Sequence, residues 1–294
     1  MRREREIYKV TLVGSVVNVL LTVFKFIAGV LGRSAAMTAD AAHSLSDLLT
    51  DAVVILFVRI SAKPEDRGHD YGHGKYETLA TTIIGLLLAA VAVGIGFHGV
   101  SDIVVWSRGG VLASPGMLAM WAAVVSVLLK EAVYQYTAVY ARKLDSSVMK
   151  ANAWHHRSDA LSSLGTLAGI GGAIALGGRW AVLDPLASLV VAFFILRVAC
   201  KLLKQGLSEL LEASLPDEVE QEILSLVMSH PGVSDPHHLR TRRIGSRYAI
   251  ELHIRMDGSM PLSEAHDCTR EIEAALKQRF GQSTHINLHV EPAK

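Results

Sequence analysis

The sequence predicts an α-helical polytopic membrane domain of six transmembrane helices, followed by a small α+β domain with the order α-β-β-α-β. Three observations carry that expectation. Half of the 294 residues are hydrophobic and the mean hydropathy is +0.32, which is too apolar for an ordinary soluble domain. Six stretches each reach the roughly 20 mostly apolar residues that a span needs. From Leu211 the composition changes to mixed polar and apolar, which divides the chain into residues 1–210 and 211–294.

The six stretches are 10–31, 35–60, 77–105, 115–141, 147–176 and 181–204. Between them lie Gly32-Arg33-Ser34, the polar run 61–76, the loop around Arg108, the turn at Asp145 and Gly177-Gly178-Arg179. The first stretch follows the charged residues Met1 to Glu6 and has no small-residue cleavage site, so it reads as a retained span and not as a signal peptide. Lys and Arg cluster at 2–9, 59–75, 142–150 and 201–204, whereas the opposite loops hold Arg33, Arg108 and Arg179. That asymmetry places both termini in the cytoplasm of a multi-pass protein, with the plasma (inner) membrane as the expected location.

In the second part, Pro216-Asp217-Glu218 opens a helix to about Ser229, with Asp217 as the expected cap. His237 to Thr241 and Tyr248 to Arg255 read as strands, the second with Ile250, Leu252 and Ile254 on one face. Leu262 to Phe280 has the pattern of an amphipathic helix and His285 to Val290 that of a last strand. A core of this size is marginal alone, so dimerisation or metal is expected to help hold it. The net charge of +1 gives no reason to expect a nucleic-acid partner, and two distant cysteines, Cys200 and Cys268, provide neither a disulfide framework nor a thiolate motif.

The chemistry concentrates in the second and fifth stretches. Each contains His-x-x-x-Asp: His43 with Asp47, and His155 with Asp159. The i,i+4 spacing stacks both side chains on one helix face. At 1.5 Å per residue, the first pair lies roughly 13–20 Å below the outer end of its span and the second roughly 12–18 Å above the inner end of its own. In a hydrocarbon layer of about 30 Å both reach the middle. Two imidazoles and two carboxylates there make a four-ligand site for a small divalent metal, and the membrane cost of such groups argues against an accident. The competing reading of either pair alone is a helix–helix hydrogen bond packed by Ser44, Ser46, Ser158, Ser162 and Ser163. Asp40 and Asp51 are read as cavity lining or interfacial; Lys25, Lys130, Glu131, Arg157 and Arg197 are charges within or near spans, read as pairing with one another or snorkelling.

Two further clusters contain histidine. Asp66, His69 and His73 sit among Gly68, Gly72 and Gly74, which allow a tight wrap around an ion; a solvated loop has the same composition. His237, His253, His266, His289 and Glu291 lie in the second part, where His289 and Glu291 share a strand face by period two. A metal site across strands and plain surface histidines both fit. His156 is read as a spare polar residue, and His98, His230, His238 and His285 as having no comparable arrangement.

These motifs resemble the cation diffusion facilitator family of metal/proton antiporters over nearly the whole chain. The resemblance rests on Ala42-His43-Ser44-Leu45-Ser46-Asp47, the Asp-x-x-His-x-x-x-His-Gly-Lys loop at 66–75, Trp154-His155-His156-Arg157-Ser158-Asp159, and the segments from Leu215-Pro216-Asp217 to Glu291-Pro292. It implies a homodimer of six-span subunits with a metallochaperone-like cytoplasmic domain, and a transport site of His43, Asp47, His155 and Asp159. It further implies a loop site of Asp66, His69 and His73, and a cytoplasmic site of His237, His253, His266, His289 and Glu291. Lys75 and Glu212 match an interlocking pair of some relatives. The expected function is export of a divalent cation from the cytoplasm in exchange for protons, with Zn2+ as first choice and Fe2+, Mn2+, Co2+ or Cd2+ as others. Partners are then metal ions, protons, membrane lipid and a second copy. The rival readings are a metal receptor without transport and an intramembrane zinc hydrolase; the latter lacks a separate base or nucleophile motif.

Overall fold

The computed structural model describes residues 2–61, 63–143 and 147–293; the side chains of 2–8, 50, 51, 53–56, 58, 59, 147–152, 155 and 158 lie outside the description. The elements are α1 (Arg2–Leu31), α2 (Ala35–Ser61), α3 (Lys75–Ser107), α4 (Met117–Lys143), α5 (Ser147–Leu176), a short 3-10 turn (Gly178–Val182), α6 (Leu183–Leu210), α7 (Asp217–Met228), β1 (Ser234–Ile244), β2 (Arg247–Met256), α8 (Leu262–Phe280) and β3 (His285–Pro292). Contacts divide the chain into two units, Met1–Ala52 with Ile84–Lys201 and Val53–Ile83 with Leu202–Lys294.

Among the described residues, five segments are long and apolar enough to cross a membrane: Lys9–Leu31, Lys75–Ser107, Met117–Lys143, Asp159–Leu176 and Gly178–Leu210. The remaining long helix, α2, has 27 residues and carries Asp40, Asp47 and Asp51. In the first unit polarity is inverted relative to a water-soluble protein. Leu20, Phe97 and Phe193 point outward, 64%, 73% and 62% exposed, while the interior holds Ala28, Ala36, Ala119, Ala122 and Ala123 together with Lys25, Asp40, Lys130 and Asp159. Lipid supplies no hydrophobic drive between helices, so small residues and buried polar pairs hold the bundle together. A Cβ at Gly169 would lie 2.4 Å from the Ala187 Cβ, which makes glycine the residue that lets α5 and α6 approach. At the opening of α2, the Asp184 carboxylate accepts from the Ser34 hydroxyl at 2.5 Å and from the Ala35 amide at 2.6 Å, satisfying a helix terminus that would otherwise be orphaned.

The second unit contains a three-stranded sheet in the order β1-β2-β3, with β1 antiparallel and β3 parallel to β2. A parallel pair needs a crossover, and α8 supplies it. Ile250, Leu252 and Ile254 lie inward as their alternation requires, and meet Ile223 and Val227 of α7 and Ile272 and Leu276 of α8 in one core. Asp217 is the first helical residue of α7 and not its cap, because Pro216 takes that position with φ −56° and ψ 146°. Proline is well suited to a helix opening, where its missing N–H costs nothing. Thr241 ties β1 to α7, donating to Glu220 Oε1 at 2.6 Å and accepting from the Leu215 amide at 2.9 Å.

This unit also holds the first turns of α3 and the last turns of α6. A Cβ on Gly206 would collide with Thr82 Oγ1, so α6 passes close against α3 there. The Glu209 carboxylate accepts from Thr78 Oγ1 at 2.5 Å and from the Gly245 amide at 2.6 Å, joining both helices to the β1–β2 turn. Lys75 pairs with Glu212, which also takes Arg242 Nε at 3.1 Å.

Candidate metal centres

The first centre is built on α2 and α5. Helical spacing puts His43 and Asp47 one turn apart on α2, and both are half-buried. Asp159 of α5 is buried, and His43, Asp47 and Asp159 each offer a ligand atom, all within 4.8 Å of one another. His155 precedes Asp159 by one turn of the same helix, and its side chain lies outside the described residues.

A polar network that the sequence reading assigned differently adjoins this centre. Asp40 is not a cavity-lining or interfacial residue: it is fully buried and paired with Lys25 at 2.7 Å. Lys25 also donates to Ser44 Oγ at 3.1 Å and Ser163 Oγ at 3.2 Å, and Ser163 donates to the Asp40 carboxylate at 3.1 Å. Lys130 is buried as well, with its Nζ 3.6 Å from Asp159 Oδ2, so both lysines face aspartates of other helices instead of snorkelling. Like charges inside a bundle separate onto opposite partners, since each buried cation needs its own anion. The side chain of Asp51 lies outside the described residues.

The second centre occupies the loop between α2 and α3. Asp66 and His69 exchange backbone hydrogen bonds at 3.3 and 3.1 Å, which folds the segment back on itself. Asp66 Oδ1 lies 3.3 Å from His69 Nδ1, Asp66 Oδ2 lies 3.3 Å from His73 Nε2, and the two imidazole centroids are 4.2 Å apart. Ligand atoms of all three residues fall within 4.8 Å. His73 is buried and its Nδ1 faces the Pro64 carbonyl at 3.2 Å, which leaves Nε2 to face the cluster. The Gly68 amide donates to Asp66 Oδ1 at 2.9 Å, and this bond, aided by the neighbouring imidazoles, holds the Asp66 carboxyl below its ordinary range.

The third centre lies on the sheet. His237, His253 and Glu291 offer ligand atoms within 4.8 Å. The parallel register sets His253 beside His289, with ring centroids 4.5 Å apart. Glu291 Oε1 lies 3.1 Å from His253 Nδ1 and Glu291 Oε2 3.4 Å from His237 Nε2; the hydrogen bond from His253 chiefly lowers the Glu291 carboxyl below its usual range. His266 is exposed on α8 outside this triad and lines a pocket that Glu291 also borders.

His238, expected to have no comparable arrangement, lies beside the third centre. Its ring lies 4.9 Å from that of His237 and 5.3 Å from that of His253. In a regular strand adjacent residues face opposite sides. Here the β1–β2 register shifts on both sides of His237, and Asp235 and His238 take positive φ of 46° and 52°. Such bulges re-aim side chains, and a His-His pair in a strand that also contains Asp-Pro is the signal that was available.

Residues 11–211 match the cation efflux transmembrane domain, and residues 215–293 match the cation efflux protein cytoplasmic domain. The chain is 35% identical over 97% of its length to metal tolerance protein C1 of Arabidopsis thaliana, and spans 62% of that protein. It is 30% identical to the manganese efflux system protein MneP of Bacillus subtilis, over 99% of this chain and 97% of the relative. Among solved structures, the metal-bound C-terminal domain of the CzcD transporter from Thermotoga maritima is 32% identical, covering 26% of this chain and 87% of that domain, with a TM-score of 0.24. Two successive domain matches across nearly the whole length, on an integral multi-pass helical chain with a small three-stranded α+β domain, show that it belongs to the cation efflux family, the cation diffusion facilitators, whose members are metal cation transporters and not enzymes.

Proposed function

We propose that the chain exports a divalent metal cation from the cytoplasm in exchange for protons, with Zn2+ as the preferred cargo. The observation that carries this reading is the convergence of His43, Asp47 and Asp159 ligand atoms within 4.8 Å, on helices of the membrane unit. His155, one turn from Asp159, completes an N2O2 set of the kind that suits zinc. Imidazole ligates only when neutral, so metal entry expels protons and protonation expels metal. Rocking of the helices that carry the four side chains supplies alternating access.

In this reading residues 1–210 form the transport domain and 211–294 a cytoplasmic, metal-binding, dimerising domain. Both termini are cytoplasmic and the membrane is the plasma (inner) membrane. Asp66, His69 and His73, and likewise His237, His253, His266, His289 and Glu291, are regulatory metal sites. Occupancy there tightens the homodimer and shifts the transport equilibrium when cytoplasmic metal is high. The relationship to a manganese efflux protein over almost its full length supports a second reading with Mn2+ as cargo. Carboxylates suit the harder ion and imidazoles the softer, so the ligand set accommodates both.

Proteoliposomes with an imposed pH gradient test the proposal. Zinc flux coupled to proton movement is expected in the wild type and a drop to background in Asp47→Ala and Asp159→Ala. Wild-type flux in either variant would refute the assignment. A panel of ions in the same assay separates zinc from manganese.

A further inference from the structure

We propose that Lys130 is a tethered counter-cation that occupies Asp159 when the transported ion leaves, and so sets how tightly the intramembrane centre holds its cargo. The inference rests on the transport-site reading above. Lys130 stands mid-way along α4, 3% exposed. Its Nζ has no hydrogen-bond partner among the described residues, although an ammonium carries three protons to donate. Its ion pair with Asp159 Oδ2 spans 3.6 Å, longer than the 2.7–2.9 Å typical of a charge-assisted hydrogen bond.

Lys25, also buried, provides the contrast. Lys25 is held by Asp40 at 2.7 Å, Ser44 at 3.1 Å and Ser163 at 3.2 Å, which accounts for all its protons. That is a finished structural contact. Lys130, equally removed from water, is aimed at a ligand carboxylate without being bonded to anything else described, and a buried charge left so incompletely satisfied is costly unless it serves a function.

With neutral imidazoles, the ammoniums of Lys25 and Lys130 stand against the carboxylates of Asp40, Asp47 and Asp159, a net charge of minus one. A divalent ion takes this to plus one. Without Lys130 the same ion would meet two net negative charges and be neutralised fully, which makes binding tighter and departure slower. Conduction and transport both need a site that admits the ion yet lets it go. Lys130 lowers the affinity and supplies Asp159 with a partner as the cargo departs.

The test uses full-length protein in detergent carrying Asp66→Ala and His237→Ala, so that binding at the intramembrane centre is read. Zinc affinity is measured by competition with a chromogenic chelator, and KM and maximal flux in proteoliposomes. Lys130→Met and Lys130→Gln are expected to bind zinc about tenfold or more tightly, with lower KM and lower maximal flux, since removing a full positive charge beside a ligand carboxylate is worth at least that factor. Lys130→Arg is expected to restore wild-type values. Unchanged or weaker binding in folded Lys130→Met and Lys130→Gln would overturn the inference. So would loss of folded protein in both, which would make the pair purely structural. Asp159→Ala separates the two levels: retained binding at the centre defeats the transport-site reading, whereas lost binding alongside an unaltered Lys130→Met affinity defeats only the counter-cation.

Discussion

At the scale of single residues, the charge of a carboxylate decides what each cluster does as acidity changes. Asp66 and Glu291 both have their carboxyls held below the ordinary range, the first chiefly by the Gly68 amide and the second chiefly by His253. A depressed carboxyl contributes stability that is present above its unfolded value and lost as pH falls through the folded one. Both therefore stay anionic at pH values where an ordinary carboxylate protonates, so acid release of a metal bound at either cluster is not expected to begin at these two groups. Titrating metal binding by Glu291→Gln against wild type is expected to show weaker binding at neutral pH with an acid midpoint that stays put. In the loop, His73→Ala is expected to lower metal affinity by about tenfold or more, in the range seen when a site's fixed partners are removed; isothermal titration calorimetry measures it. The i,i+4 spacing made the His43–Asp47 alignment legible in the sequence. The choice of Asp40 by Lys25 and Asp159 by Lys130 was not, because it depends on which helices pack together and not on spacing within either one.

At the scale of elements, small residues set distances that the polar groups then use. Gly169 touches Ala187, a residue with no flexible end to move aside. Gly169→Ala must push α5 from α6 and is expected to destabilise by about 1–3 kcal/mol, read as a lowered midpoint in a thermal unfolding assay in detergent. Little change would mean that α5 and α6 do not pack as closely as described. The α-β-β-α-β order and the inward face of β2 were readable from period-two alternation, and α8 runs over the expected residues 262–280. What escaped was β1, which extends over Ser234–Ile244 where the expectation was five residues. Its bulged start mixes Asp, Pro and two histidines without alternation, so no strand pattern marks it, and the same irregularity carried His238 into the centre unannounced.

At the scale of the whole molecule, the composition already implied a solvent other than water, and the fold gives the physical reason. Leucine, valine and phenylalanine face outward while alanine, serine, lysine and aspartate fill the interior of the first unit. Buried charges at that depth persist only when each has a partner or a cargo. Lys25 and Asp40 have each other. His43, Asp47 and Asp159 converge on a common point, and His155 stands one turn from the last of these. The chemistry of the whole chain thus turns on whether a metal ion occupies that point. Anomalous diffraction from zinc-loaded full-length protein answers this directly. A zinc peak is expected between α2 and α5, with His43, Asp47, His155 and Asp159 about 2.0–2.2 Å away as ligands. Zinc peaks at the loop and sheet centres with none between α2 and α5, at saturating metal, would contradict it.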